Sequence, residues 1–284
     1  MYKEIEIRDR ILDLINSRVE QVNNSGVITK YRSPVIGFAS AHDPLYDKTS
    51  EIVGYPVAKP TDLLENAKTV ISFFLPYTAM VVKYARARRE VSNKEWSLGY
   101  YETNNLIGSI MSELVEELHK MGIDAASEPV TENYDHIKLT ATWGHKTSAA
   151  IAGIGTFGIN RLVITPMGCA GRLGTVVMSA HLTPTERPDQ ENCYYKADGT
   201  CGVCAKMCPS KAITYNSFNR FVCKLRDDTM RDSPSPVDRG CYFCSSGPCA
   251  FFEKPRIGGH HVWIGRNKCE SMLPEEIDQI QEEW

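Results

Sequence analysis

No run in this chain approaches the ~20 consecutive apolar residues that a membrane-spanning helix requires. The opening residues, MYKEIEIRDR, lack both the apolar core and the small-residue cleavage site of an export leader, so a cytoplasmic protein with no membrane partner is expected. An excess of one charge is missing too. Lys and Arg number 32 against 35 Asp and Glu, a net of −3, which gives no global reason to expect nucleic acid. One short basic run, Lys83, Arg86, Arg88 and Arg89, is explained more cheaply by a solvated helix face. No repeat of fixed period occurs. With 42% apolar and 24% charged residues over 284 positions, the composition is that of a globular chain with one large or two modest domains.

Cysteine, by contrast, is plentiful. Eight of the ten form a two-part pattern between residues 190 and 250, first as Cys193, Cys201, Cys204 and Cys208 with Pro209 behind, then Cys223 alone, then Cys241, Cys244 and Cys249. The core C-x2-C-x3-C-P matches the end of the bacterial ferredoxin run, whose final cysteine ligates the other cluster. Eight thiolates, four apiece, are what two [4Fe–4S] clusters require. Disulfides conflict with a reducing cytosol. Zinc uses C-x2-C pairs, but it needs no third cysteine at this spacing. Two cysteines are left over. Cys169, in PMGCAGRLG, reads as a small buried thiol or as one facing a ligand. Cys269 lies beyond His260 and His261, where an exposed glycine-rich loop is a commoner outcome than a metal.

Before the cysteines, strands and helices mix. Residues 3–22 show an amphipathic helix through Ile5, Ile11, Leu12, Ile15, Val19 and Val22. Residues 33–40 and 69–77 read as buried strands, the second central and ended by Pro76. A long helix capped at Thr103 or Asn104 carries the stripe Leu106, Ile107, Ile110, Met111, Leu114, Val115, Leu118 and Met121, and Gly122 ends it. A small-residue helix begins near His145, and residues 161–166 and 173–182 read as two further strands. Gly153, Gly155 and Gly158 spell G-x-G-x-x-G, yet they close a helix and do not follow a strand, so a dinucleotide site is rejected. The expected layout is an α+β domain over 1–185, joined through the linker TPTERPDQEN to a cysteine domain over 186–255, with a tail over 256–284.

An α+β part holding a strand before Pro76 and the stretch GIGTFGINRLVITP, followed by two cysteine motifs around an isolated Cys223, resembles one family. It is similar to epoxyqueuosine reductase and the wider group of corrinoid-dependent iron–sulfur reductases, including reductive dehalogenases, over residues from about 33 to 250. The resemblance implies a nitroreductase-like N-terminal domain followed by a bacterial ferredoxin-like domain with two [4Fe-4S] clusters. It further implies a cobalamin, a ferredoxin or flavodoxin donor, and a small or nucleoside-type substrate. One cluster would take Cys201, Cys204 and Cys249, the other Cys208, Cys223, Cys241 and Cys244.

The sequence departs from the family at three places. The family's first cysteine falls on Asp198, where Cys193 is the obvious substitute and a carboxylate the poorer ligand. The family's proton-donating aspartate falls near Leu139, which makes Tyr134 and Asp135 the expected catalytic pair, with His136 and His145 as further candidates. The same residues also read as an ordinary polar loop. His145, Lys146, Gly153, Gly155, Gly158 and Asn160 are the expected cofactor-binding residues. Finally, few residues follow Cys249 where the family's tRNA enzyme carries a helical-repeat extension, so tRNA stays an open partner. No D-x-H-x-x-G motif occurs, in keeping with a corrinoid bound without a lower histidine. Two rival readings remain, a ferredoxin-like electron carrier and a corrinoid-reactivating protein.

Overall fold

The structure, a computed structural model, describes residues 2–87, 94–131, 133–231 and 241–250. Arg88, Arg89, His260, His261, Cys269 and the expected tail 256–284 lie outside them. Two compact units form. The first comprises Met1–Leu75, Glu102–Gly155 and Gly171–Asp189; the second comprises Pro76–Tyr101, Thr156–Ala170 and Gln190–Trp284. The chain crosses between the units after residues 75, 101, 155, 170 and 189, and not at the single expected boundary of 185/186. The segments 76–101 and 156–170, however, join the cysteine-bearing unit.

The first unit is built on a four-stranded sheet of order β1-β2-β8-β3, with β1 Val35–Ser40, β2 Thr69–Pro76, β3 Ala125–Ala126 and β8 Gly171–Met178. Strands β1 and β2 are antiparallel, with Val35 opposite Phe74 and Ser40 opposite Thr69. All eight positions of β2 are buried, as its unbroken apolar and β-branched run requires of a central strand. Helix α1 (Glu4–Asn23) buries Ile7, Ile11, Ile15 and Val19, a straight row at every fourth residue. Ile5, expected in that stripe, lies off the row and is 62% exposed. Helices α2 (Pro44–Val53) and α3 (Pro60–Leu63) follow, and α2 starts where the Asp43 carboxylate accepts the Leu45 N–H at 3.0 Å.

In the second unit, helix α4 (Ala79–Ala87) precedes α5 (Lys94–Lys120), whose last nineteen residues belong to the first unit. Helix α5 begins a good two turns before the expected cap. Thr103 is no cap because its hydroxyl is buried 2.8 Å from the Tyr31 phenol, inside the core. Of the expected stripe, Leu106, Ile107, Ile110, Met111, Leu114 and Leu118 are buried, and Val115 and Met121 are half-buried. Gly122 ends the helix at φ 74°, with its N–H donating to the His119 carbonyl and Ile123 N–H to the Leu118 carbonyl, both at 2.9 Å. That pairing is a Schellman cap, and the positive φ is why glycine stands there.

Strands β4 (Tyr134–Asp135) and β5 (Thr140–Ala141) make a small hairpin ahead of α6 (His145–Ile151). The helix passes β1 at Gly37. A Cβ on that glycine would sit 2.3 Å from the Ala152 carbonyl oxygen and 2.5 Å from Ile154 Cγ2. Beyond Gly155 the chain enters the second unit as β6 (Thr156–Phe157) and β7 (Val163–Ile164), which pair with each other. The two strands expected from 161–166 and 173–182 therefore part company: β7 pairs with β6, and β8 enters the main sheet. Short helices α7 (Tyr194–Asp198) and α8 (Val203–Met207) and the longer α9 (Arg220–Arg231) complete the second unit, with 3-10 turns at Phe243–Ser245 and Pro248–Ala250.

Gly37→Ala should cost about 1–3 kcal/mol of stability, as an overpacked contact does, and so lower the thermal unfolding midpoint. Gly26→Ala is the control, since nothing lies within 4 Å of the added methyl. Equal midpoints for the two variants would contradict the close approach of α6 to β1.

Candidate functional site

The eight clustered cysteines of the second unit sort into two groups by space and not by sequence. Cys193, Cys201, Cys204 and Cys249 line one pocket, together with the apolar side chains of Ile159, Ile164 and Val203 and the amide of Asn160. Cys208, Cys223 and Cys244 pack with Ala212, Ile213 and Phe218 in a second apolar nest, which Cys204 of the first group also touches. Cys241 lies near enough to Cys208 for its thiol to feel that charge. Each group mixes residues of the first and second motifs.

Local structure explains how each thiol gets there. Cys193 is the residue before α7. Its neighbour Asn192 is clamped, with N–H on Thr156 Oγ1 at 2.8 Å and side-chain amide on the Ile164 carbonyl at 2.7 Å, so the β6–β7 hairpin places the cysteine. Asp198 at the far end of α7 is occupied otherwise. Its carboxylate accepts from the Thr200 N–H at 3.0 Å and from the Thr200 hydroxyl. Thus the thiol of Cys193 lines the pocket, while the carboxylate of Asp198 shapes a turn. Cys201 and Cys204 flank the start of α8, and Pro209 follows Cys208 where that helix stops.

The second motif is held by aromatic contacts. Tyr77 meets Trp96 edge-on at 5.5 Å, Trp96 leans on Tyr242 at 5.5 Å, and Tyr242 stacks on Phe243 at 5.0 Å. Tyr242 and Phe243 stand between Cys241 and Cys244. Both rings are buried, so the segment 76–101 acts as the wall against which the second motif sets. The Cys241 N–H also donates to the Asp227 carboxylate of α9 at 3.0 Å.

Electrostatics bear on whether these thiols suit a metal cluster. Burial pushes the Cys204 thiol up to about 12, and the neighbouring Cys249, Cys201 and Cys193 add to the rise. Burial likewise raises Cys201 and Cys241. Against it, backbone N–H groups point at sulfur: Val203 and Gly202 at Cys201, Ala205 at Cys204, Phe243 at Cys241. At Cys208 burial also acts upward, but the N–H groups of Ile213, Ala212 and Ser210 and the Ser210 hydroxyl outweigh it and hold the thiol below its ordinary value. Amides aimed at buried sulfur are the surroundings in which cluster thiolates are stabilised. A cationic iron core would supply the remaining charge. Four thiols around one apolar pocket, with Cys208, Cys223 and Cys244 beside Ile213 and Cys241 near Cys208, are a donor set that fits two [4Fe-4S] clusters. Among the described residues, no three His, Cys, Asp or Glu side chains converge as ligands of a single ion do.

The expected catalytic and cofactor residues lie mostly in the first unit. Tyr134 and Asp135 form β4, and the Tyr134 ring lies 4.5 Å from that of His136. The Asp135 carboxylate accepts the N–H groups of Lys138 at 2.7 Å and Ile137 at 2.8 Å, and these bonds hold it below the usual carboxylate range. Leu139, at the family's acid position, sits in the same turn in the left-handed region at φ 54°. His145 opens α6. Its Nε2 lies 3.0 Å from the Pro129 carbonyl and its Nδ1 2.8 Å from Thr175 Oγ1. The carbonyl can only accept, so Nε2 carries the hydrogen and Nδ1 takes the Thr175 proton. Trp143, fully buried, donates its Nε1–H to the same hydroxyl at 2.8 Å. Sequence reasoning missed Thr175, because a threonine inside a strand has no pattern of its own. Lys146 follows on α6, and Gly153 turns the chain at φ 74°, where a Cβ would meet the Glu186 carbonyl at 2.6 Å. Gly155 is the last residue of that segment in the first unit; Gly158 and Asn160 belong to the second. The expected cofactor residues are thus divided, and Asn160 alone of them lines the thiol pocket.

Burial lowers the His145 pKa, so the neutral ring is the folded form. The folded state then binds fewer protons than the unfolded chain below about pH 6.5, and the stability this contributes above that value is lost as the pH falls further. His145→Gln should flatten the decline of the unfolding midpoint between neutral and mildly acid pH; an unchanged slope would contradict it. Cys193→Ala should roughly halve the iron and sulfide retained after oxygen-free reconstitution, from about eight of each to about four, whereas Asp198→Asn should retain the full amount. The reverse result would make the carboxylate the ligand.

No family model matches the chain, and no curated protein sequence matches it. Solved structures do. An epoxyqueuosine reductase bound to an epoxyqueuosine-modified tRNA-Tyr stem loop is 20% identical, with a TM-score of 0.59, over 87% of this chain and 66% of that one. The epoxyqueuosine reductase of Streptococcus thermophilus is 18% identical at TM-score 0.54, over 98% of this chain and 75% of that one. A catabolic reductive dehalogenase is 12% identical at TM-score 0.55, over 87% of this chain and 34% of that one. The chain thus spans 66% of the length of the tRNA-bound reductase and about a third of the dehalogenase. What it shares with them is the fold, an α+β architecture found in epoxyqueuosine reductases and reductive dehalogenases, the group that its sequence resembles.

Proposed function

We propose that the protein is an iron–sulfur oxidoreductase in which two [4Fe-4S] clusters pass electrons from a ferredoxin or flavodoxin toward a bound cobalamin and a small or nucleoside-type substrate. The observation that carries this reading is the sorting of eight cysteines into two interleaved sets of four, each ringed by apolar side chains and backbone N–H donors. In this reading Cys193, Cys201, Cys204 and Cys249 hold one cluster, and Cys208, Cys223, Cys241 and Cys244 the other. The layout is a nitroreductase-like unit with a ferredoxin-like one, in a cytoplasmic protein. Among the described residues no helix is long and apolar enough to cross a membrane.

Cobalamin enters through the likeness of fold, since a matching dehalogenase structure is described as suggesting a mechanism for B12-dependent dehalogenation. When bound, a corrinoid supplies a strongly reducing centre. Lys146, Gly153 and Gly155 of the first unit are the residues proposed to approach it. His145 contributes by shape only, both ring nitrogens being engaged within the first unit. For proton delivery, Tyr134 is the proposed donor. Asp135 is held ionised by two N–H groups and keeps the 135–139 turn in place for it. A tRNA substrate rests on the likeness to the tRNA-bound reductase. The inward engagement of His145 favours a second reading, an electron carrier without a substrate of its own.

The two separate experimentally. After oxygen-free reconstitution with iron, sulfide and cobalamin, the full chain should keep corrin through gel filtration alongside its clusters. With an epoxyqueuosine-modified stem loop and a low-potential donor, Tyr134→Phe should slow turnover by about 10²-fold at unchanged iron content, as loss of a general acid does. Retained clusters with complete loss of corrin would leave the carrier.

A further inference from the structure

We infer that Cys169 is a ninth thiol standing outside both ligand sets, that it donates its S–H to the sulfur of Cys249, and that Asn160 positions it to do so. The inference rests on the two-cluster reading above and assigns a role to the one described cysteine which that reading leaves over.

Cys169 is buried, and its Sγ lies 3.8 Å from the Cys249 Sγ, within hydrogen-bonding reach for sulfur. Backbone pairing holds the two in register: Cys169 N–H donates to the Cys249 carbonyl at 2.9 Å, and Ala170 N–H to the Ala250 carbonyl at 2.7 Å. Cys169 packs in one apolar cluster with Ile164, Cys193 and Cys249, but the pocket itself is lined by Cys193, Cys201, Cys204 and Cys249, four thiols that already make a complete set.

The direction of the bond follows from counting hydrogens. The Asn160 Nδ2 group, which can only donate, lies 3.7 Å from Cys169 Sγ. Cys169 therefore accepts from Asn160 and keeps its single hydrogen for another partner. A ligating Cys249 is a thiolate with no hydrogen to give, so Cys169 donates and Cys249 accepts. The orientation of the Asn160 amide is fixed by backbone groups on both sides. Its Oδ1 accepts the Leu162 N–H at 3.2 Å, and its Nδ2 donates to the Cys244 carbonyl at 2.9 Å. Gly158 leaves room for it, since a Cβ there would lie 2.4 Å from Asn160 Oδ1. One buried amide thus braces the backbone of one cysteine set and the thiol beside the other.

A hydrogen bond to a ligating sulfur stabilises the reduced, more negative cluster and raises its reduction potential. In the full chain reconstituted without oxygen, Cys169→Ala should retain the iron and sulfide of the unaltered protein. Its cluster should titrate at a more negative potential, with a roughly fivefold lower ratio of reduced to oxidised cluster at a fixed poise, on the order of what one hydrogen bond is worth. Cys169→Ser, which keeps a donor of similar size, should recover most of that shift. Redox titration followed by electron paramagnetic resonance reads the shift, and iron and sulfide analysis reads the content. If Cys169→Ala and Cys169→Ser both lose half the iron, Cys169 is a ligand and the inference is overturned. If Cys169→Ala keeps its iron and shows no shift, the contact is packing alone, and the inference is overturned again. Failure of the underlying reading would look different, because the unaltered chain would then take up no iron–sulfide at all.

Discussion

Sulfur buried among apolar side chains stays protonated unless something compensates its charge, and the second unit is arranged around that constraint. The raised thiols of Cys201, Cys204 and Cys241 show the cost of burial, and Cys208 shows the remedy, three amides and a hydroxyl outweighing it. Those amides are available only because the chain near the cysteines is irregular. Helices α7 and α8 are five residues each, and the chain that follows α8 leaves N–H groups unspent by helical bonds. Shortness of structure here is therefore a requirement of the chemistry and not a weakness of the fold.

Irregular chain has little cohesion of its own, so it must be held from outside. The β6–β7 hairpin does this for Cys193 through Asn192, and the aromatic row Tyr77, Trp96, Tyr242, Phe243 does it for Cys241 and Cys244. Asn160 does it a third time, with its amide spread between the Cys244 carbonyl and the Cys169 thiol. In each case a segment from earlier in the chain supplies rigid contacts that the cysteine motifs lack. The first unit works by the opposite means, with a long buried stripe on α5 and a strand, β2, covered on both faces.

What could be read from the sequence was what local pattern encodes. The run TVISFFLP announced a central strand, and Gly122 a helix end. What could not be read was which unit a segment joins. Residues 76–101 and 156–170 have the periodicity of ordinary helix and strand, and nothing in that periodicity says they pack on the cysteine motifs. The start of α5 was misplaced for a related reason. Thr103 looks like a cap by type, yet its hydroxyl has a buried tertiary partner in Tyr31, which no window of neighbouring residues contains. Asn160 was singled out as a cofactor residue from its place in GIGTFGIN, and it does line the thiol pocket, but its contacts are with cysteines that lie up to 84 positions away.

The division into units has a bearing on how the molecule comes into being. The chain passes from one unit to the other after residues 75, 101, 155, 170 and 189, so neither unit is a contiguous stretch. During synthesis β1 and β2 emerge early, but β8, their partner in the middle of the sheet, arrives only after the hairpin of the other unit has been laid down. The wall formed by Tyr77 and Trp96 waits longer still, until Tyr242 leaves the ribosome. Such a layout makes assembly nearly all-or-none. It resists excision of either half as a free-standing module, and it leaves the gathering of the eight clustered cysteines to the last third of translation.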